Sequence, residues 1–175
     1  IKPGDYIPGN MYFTTTRLHQ ELAGGTFVDV ISDEAHDPQN EHPFKGNVDF
    51  QKLDDLVNKV GASKIPYICI ATAVNMAGGQ PISLENLRQL RAWCDAHKIM
   101  IVHDMTRVAE NAWFIKCREK AEANKSIAEI VYEICALTDA ATFSAKKDAM
   151  VNIGGMLAMN DDKLYERACS MVVVY

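Results

Sequence analysis

Three short polar segments of this chain carry residue types suited to chemistry. The first is Thr142-Phe143-Ser144-Ala145-Lys146-Lys147-Asp148, where two adjacent lysines follow an apolar stretch. Burying a lysine is costly and lowers its pKa readily. A lysine held at a strand end beside hydroxyls is therefore a candidate to form an imine with a carbonyl. Taken alone, a Lys-Lys pair is more often a solvated charge pair. The second segment is Val102-His103-Asp104-Met105-Thr106-Arg107. The third is Asn75, followed by Ala77-Gly78-Gly79-Gln80-Pro81. Each has a plainer structural reading: Asp104 as a helix cap, Arg107 as an ion-pair arginine, Asn75 as a turn former.

The elements around these segments decide whether they can meet. Residues 26–31 (TFVDVI) are rich in β-branched types and follow Gly24-Gly25, which predicts a strand. Residues 66–74 (PYICIATAV) form a continuous apolar run, the pattern of a strand buried on both faces. Residues 99–103 and 140–144 read as further short strands, and 151–159 as another. Between them lie helical periodicities. Asp49 caps Leu53, Leu56, Val57 and Val60, with Gly61 just past the end. Ser83 caps a stripe of Leu84, Leu87, Leu90 and Cys94. A helix follows Arg107, and Ser126-Ile127-Ala128-Glu129 is a capping box for the next. A last helix starts near Asp161. Tyr12-Phe13-Thr14-Thr15-Thr16-Arg17 reads from spacing as ordinary packing at a helix entry, with Thr15 or Thr16 as cap.

Strand and helix alternate, which predicts an α/β domain with a mostly parallel sheet. In such sheets ligands bind at the carboxyl ends of the strands. Asn75, Asp104 and Lys147 all fall where a predicted strand ends. Their types match the needs of an aldehyde cofactor with a pyridine ring. Lys147 could supply the amine. Asp104 could keep a ring nitrogen protonated, and Asn75 and Arg107 could donate to a phenolic oxygen. This is the division of labour in pyridoxal-phosphate sites.

Bulk properties narrow the alternatives. The chain has 175 residues, 48% of them hydrophobic, which suits about one domain. Its net charge of −5, with both signs interspersed, argues against a nucleic-acid surface. No apolar run is long enough to span a bilayer, and no signal peptide is visible, so no membrane partner is expected. The five cysteines are widely spaced and form no ligand pairs, so they read as reduced core thiols of a cytoplasmic protein. The absence of an initiator Met and the apolar run Met171-Val172-Val173-Val174-Tyr175 lead to the expectation of an internal segment of a longer polypeptide.

The ordered set Gly9-Asn10-Met11-Tyr12-Phe13-Thr14-Thr15-Thr16-Arg17, Phe44-Lys45-Gly46-Asn47, Asn75-x-Ala77-Gly78-Gly79-Gln80-Pro81, Asp104-x-x-Arg107, Glu110-Asn111-Ala112 and Ser144-x-Lys146-Lys147-Asp148 resembles the β-eliminating aromatic amino-acid lyases, the family of tryptophanase and tyrosine phenol-lyase. The likeness spans essentially the whole chain. It implies the aspartate-aminotransferase-like fold (pyridoxal-phosphate fold type I), with residues 1–175 as the central part of the cofactor-binding large domain. It also implies pyridoxal 5′-phosphate, a monovalent cation such as K⁺, and a homotetramer. Lys147 matches the Schiff-base lysine, and Lys146 its supporting neighbour. Asp104 matches the partner of the pyridine nitrogen, and Asn75 and Arg107 the donors to the 3′-oxygen. Phe13 matches the stacking ring, which reverses the packing reading from spacing. Ser144 matches a phosphate ligand, Asn152 a position whose backbone carbonyl helps bind potassium, and Thr14 the position that senses the substrate ring. The family's phosphate-binding Gly-Arg loop and a catalytic tyrosine are expected before Ile1. Its carboxylate-gripping arginine and small domain are expected after Tyr175.

The resemblance implies elimination from an aromatic amino acid to give pyruvate and ammonia. The segments 108–112 and 144–151 look more like tryptophanase. The segments 12–17 and 151–155 look more like tyrosine phenol-lyase, and Thr14 stands where enterobacterial tryptophanases carry aspartate. Together these place tryptophan cleavage to indole first and tyrosine cleavage to phenol second. Another reaction on the same scaffold, or a non-catalytic α/β binding module, stands as the alternative class.

Overall fold

The computed structural model describes residues 1–174. Six strands form one sheet: β1 (Tyr6–Gly9), β2 (Thr26–Asp29), β3 (Tyr67–Ala71), β4 (Met100–Asp104), β5 (Ala140–Ser144) and β6 (Gly155–Met159). Their spatial order is β2-β1-β3-β4-β5-β6. The first five are parallel, and β6 returns antiparallel to β5. Six helices connect or follow them: α1 (Thr14–Leu22), α2 (Phe50–Val60), α3 (Leu84–His97), α4 (Val108–Arg118), α5 (Ile127–Ala136) and α6 (Asp162–Val174). The parallel α/β architecture expected from the sequence is present. Among the described residues, no helix is long and apolar enough to cross a membrane.

Three caps read from the sequence hold. Asp49 accepts from the Gln51 and Lys52 N–H groups, Ser83 from Asn86, and the Ser126/Glu129 capping box is complete. Each cap satisfies donors that a first helical turn leaves orphaned, contributing about 1 kcal/mol.

Strand β3 departs from the doubly buried expectation. Its burial alternates, with Ile68 and Ile70 buried on one face and Cys69 and Ala71 partly buried on the other. Strand β4 alternates in step, with Ile101 and His103 on the covered face and Val102 and Asp104 opposite. The covered face meets Leu53 and Leu56 of α2, Leu84, Leu87, Leu90 and Cys94 of α3, Val108, Ala112 and Ile115 of α4, and Ile130 and Ile134 of α5. Each fully buried Leu or Ile there contributes about 1.5–3 kcal/mol of transfer free energy.

Strand β1 is absent from the sequence expectation because Pro8 interrupts a run of only four residues, a pattern that argues against an inner strand. It nevertheless lies between β2 and β3. Gly9 ends it because an added Cβ would stand 2.7 Å from the Cys69 carbonyl oxygen. Past that point Asn10 is fully buried. Its amide donates to the Gly46 and Ala71 carbonyls, at 2.9 and 3.1 Å, and accepts from the Ala71 N–H at 2.8 Å. The cysteine expectation is corrected too: only Cys94 is buried, Cys69 and Cys135 are part-buried, and Cys117 and Cys169 are exposed.

Candidate functional site

A cavity of about 680 Å³ opens at the carboxyl ends of β3, β4 and β5. The residues entering α1 form its remaining wall. Strands β2 and β3 leave β1 in opposite directions, so the sheet order reverses beside this wall. Ligands of open parallel sheets bind at such a switch point, and the volume falls in the range of small-molecule sites.

Strand β4 places Asp104 at its last position, as the sequence predicts. Asp104 does not cap α4. Its Oδ1 accepts only the Thr106 N–H, at 3.2 Å. Thr106 Oγ1 in turn accepts the Ser144 N–H at 3.1 Å, which ties the end of β5 to the same turn. The Asp104 carbonyl accepts the Thr72 N–H at 3.2 Å, and the Thr72 carbonyl accepts the Arg107 N–H at 3.1 Å. Three strand ends are laced together by short polar bonds.

Asn75 sits in a 3₁₀ turn, Asn75–Ala77, beyond the end of β3 rather than at it. Arg107 Nη1 donates to Asn75 Oδ1 at 2.9 Å, and Arg107 Nε faces Glu110 at 3.8 Å. Because Asn75 accepts through Oδ1, its amide NH₂ is left as a donor. The Asn75 and Arg107 pair therefore presents donors of one kind at one wall.

The lysine loop follows β5. Ala145 N–H donates to the Gly154 carbonyl at 3.0 Å, and Met150 N–H to the Lys147 carbonyl at 2.8 Å. Asp148 Oδ2 accepts the Ala109 N–H at 2.7 Å and the Glu110 N–H at 3.4 Å. Asp148 thus fills the capping role that the sequence suggests for Asp104. It satisfies the first turn of α4, where a carboxylate is also favoured by the helix dipole. Lys146 and Lys147 both line the cavity but are exposed, so the burial that first marked the pair is not supplied by this chain.

On the opposite wall Phe13 is the N-cap residue of α1 and is 40% exposed, with no side-chain cap bond. The expectation of a Thr15 or Thr16 cap is corrected: both threonines lie inside the helix and line the cavity. Thr14 is the first helical residue and lies outside the lining. Asn152 lies in the exposed turn between β5 and β6, also outside it. The structure brings Phe13, Asn75, Asp104, Arg107, Ser144, Lys146 and Lys147 to one cavity, and Thr14 and Asn152 are not among its lining residues.

Two titratable groups of β3 and β4, part-buried Cys69 and fully buried His103, are shifted by burial. Burial pushes the Cys69 thiol up to about 12. Burial holds the His103 imidazole neutral, with its pKa lowered to about 3. Sequence reasoning missed Thr72, Thr106 and Asp148. Thr72 was hidden inside an apolar run, and Thr106 and Asp148 act through bonds to residues remote in sequence.

The donor set fits a planar, anionic, aldehyde-bearing group. It offers an accessible aromatic ring, a carboxylate with one oxygen unpaired among the described residues, a guanidinium–amide pair, a serine and two amines.

Comparison with known proteins agrees with this geometry. Residues 2–173 match the family model described as beta-eliminating lyase. The chain is 63% identical over its whole length to a tyrosine phenol-lyase from Nostoc punctiforme and 60% identical to one from Symbiobacterium sp.. It spans 38% of the length of each of these relatives. A solved aminotransferase from Staphylococcus aureus superposes with a TM-score of 0.60 at 20% identity, over 93% of this chain and 38% of that one, a likeness of fold. These relatives do not support placing tryptophanase first; they carry the name of the alternative. The chain belongs to the β-eliminating lyase family.

Proposed function

We propose that the full-length protein carrying this segment is a pyridoxal-phosphate-dependent β-eliminating lyase that cleaves L-tyrosine to phenol, pyruvate and ammonia. Residues 1–175 form the central part of its cofactor-binding large domain. The observation that carries the reading is the convergence of Asp104, the Arg107–Asn75 pair, Ser144 and Lys147 on one cavity, opposite Phe13.

Pyridoxal phosphate, when bound, supplies an electron sink for negative charge developing at the substrate α-carbon. The chain's residues do the rest. Lys147 would contribute the amine that anchors the cofactor and take the α-proton, and Lys146 would add positive charge beside it. Asp104 would hold a proton on the ring nitrogen. Asn75 and Arg107 would donate to the ring oxygen, Phe13 would offer its ring to the cofactor, and Ser144 would bind phosphate. Thr14 senses the substrate ring from the start of α1. The Asn152 carbonyl would serve as an oxygen ligand of the kind a K⁺ ion accepts. The homotetramer implied by the family resemblance belongs to this proposal as well.

The preference for tyrosine rests on the names of the relatives and on Thr14. The test is the full-length protein loaded with pyridoxal phosphate and given tyrosine and tryptophan in parallel. Phenol as the main aromatic product is expected. Indole as the main product overturns the substrate assignment, and the absence of cofactor uptake overturns the whole reading.

A further inference from the structure

Strand β4 carries a fully buried histidine directly before the aspartate of the site. His103 points to the helix-covered face, and Asp104 to the other. The His103 ring makes one polar contact among the described residues: Nε2 lies 2.7 Å from Thr72 Oγ1. Its other nitrogen, Nδ1, is buried without a partner. A half-satisfied imidazole in a core is costly and calls for an explanation.

Thr72 is itself only 1% exposed, and it lines the cavity floor. Its peptide holds both halves of the Asp104–Arg107 turn. The Thr72 N–H donates to the Asp104 carbonyl, and the Thr72 carbonyl accepts from Arg107. Whatever fixes Thr72 therefore fixes where Arg107 leaves the sheet, and through Arg107 the amide of Asn75.

We propose that His103 and Thr72 form a buried positioning couple, in which the hydrogen bond between His103 Nε2 and Thr72 Oγ1 pins the backbone that carries Asp104 and Arg107 to the cofactor. The contact is a hydrogen bond whichever partner donates, and it is the single polar contact of the ring among the described residues. Neither residue touches the reacting atoms in this proposal. Both act through Arg107 and Asp104.

The cofactor half of this inference rests on the functional reading above, so its test has one arm that needs no cofactor. Amide hydrogen exchange is measured on the cofactor-free full-length protein over the peptides containing Thr72 and Arg107. Thr72→Val keeps the shape and removes the hydroxyl; Thr72→Ser keeps the hydroxyl. His103→Phe removes the ring's polar nitrogen, and His103→Gln offers a polar side chain in its place. Thr72→Val and His103→Phe are expected to speed exchange at Arg107 and to raise the dissociation constant for pyridoxal phosphate, each by about two- to tenfold, the loss of one buried hydrogen bond. Thr72→Ser and His103→Gln are expected to recover most of both. The Thr72→Val, His103→Phe double variant should be little worse than either single one, because both remove the same bond. Unchanged exchange in Thr72→Val overturns the couple, even if His103→Phe fails to fold. Faster exchange with unchanged cofactor affinity overturns its positioning role. A parent protein that takes up no pyridoxal phosphate overturns the functional reading, and that is seen before any variant is compared.

Discussion

Arg107 Nη1 donates to Asn75 Oδ1 at 2.9 Å, joining the turn after β4 to the turn after β3 at one wall of the cavity. The bond orders two long side chains before any ligand arrives. It also turns the Asn75 carbonyl oxygen toward Arg107, leaving the Asn75 NH₂ and the other Arg107 N–H groups as donors. A site prepared in this way loses less side-chain freedom on binding.

Arg107→Lys is expected to raise the dissociation constant for pyridoxal phosphate by about tenfold or more in the full-length protein. A lysine ammonium is a point donor and cannot hold Asn75 and a ligand through one planar fork. Asn75→Ala should weaken binding less, because Arg107 keeps its charge and its Glu110 neighbour. Titration of cofactor-free protein by absorbance gives both constants. A dissociation constant for Arg107→Lys equal to the parent's would remove Arg107 from the cofactor wall.

Asp148 makes a second long-range link. Its carboxylate accepts the Ala109 and Glu110 N–H groups, fastening the lysine loop to the start of α4. Asp148→Ala is expected to cost about 1 kcal/mol of stability, the typical cost of a lost helix cap. Asp148→Asn should lose less, because an amide oxygen still accepts. Urea midpoints of the three proteins test this. Equal midpoints for parent and Asp148→Ala would mean that solvent replaces the cap without loss.

The sequence made the parallel sheet legible because apolar runs, caps and turns recur in step with it. Asp49, Ser83 and the Ser126 box are local signals, and each is found where the spacing puts it. Asp104 and Lys147 were legible as chemistry because charged groups at the ends of apolar runs stand out. What stayed hidden has a common cause. Strand β1 is held by neighbours rather than by its own propensity, and Pro8 speaks against it. Asp148, Thr106 and Thr72 act on residues distant in the chain, and a one-dimensional pattern cannot show which partner a carboxylate or hydroxyl finds. The exposure of Lys146 and Lys147 was likewise unreadable, since it depends on what packs over the loop.

Neutral, buried His103 links stability to pH. Its folded pKa, about 3, lies below the ordinary value of 6.5. Between these values the unfolded chain binds a proton that the folded chain does not, so stability rises with pH across this window. His103 therefore takes nothing from stability above about pH 6.5, and its contribution is lost as pH falls toward 3. The slope approaches about 1.4 kcal/mol per pH unit in the middle of the window. Urea unfolding at neutral pH and at about pH 5 should show the parent losing stability faster on acidification than His103→Phe. Parallel losses would show that His103 titrates alike in both states.

The two lysines line the same cavity and are both exposed, so burial does not choose between them. Their backbones differ. The Lys147 carbonyl closes a turn by accepting the Met150 N–H at 2.8 Å, which fixes the peptide beside it. The Asp148 link to α4 follows immediately. Lys146 stands one residue nearer β5, beside Ala145, whose N–H donates to the Gly154 carbonyl at 3.0 Å and whose carbonyl accepts the Val151 N–H at 3.1 Å. Each lysine thus adjoins an anchored peptide, and the covalent role is given to Lys147 by the proposed function. A residue that must present one amine repeatedly to one carbon gains from such restraint. Lys147→Ala is accordingly expected to abolish the long-wavelength absorbance of protein-bound pyridoxal phosphate and to lower turnover by several orders of magnitude. Lys146→Ala should keep the absorbance and lose affinity by about tenfold, the effect of one charge-assisted contact. Borohydride reduction of the loaded full-length protein, followed by peptide mapping, reads the attachment point directly. A label on Lys147 supports the assignment. A label on Lys146, or an absorbance band that survives in Lys147→Ala, would transfer the covalent role to its neighbour.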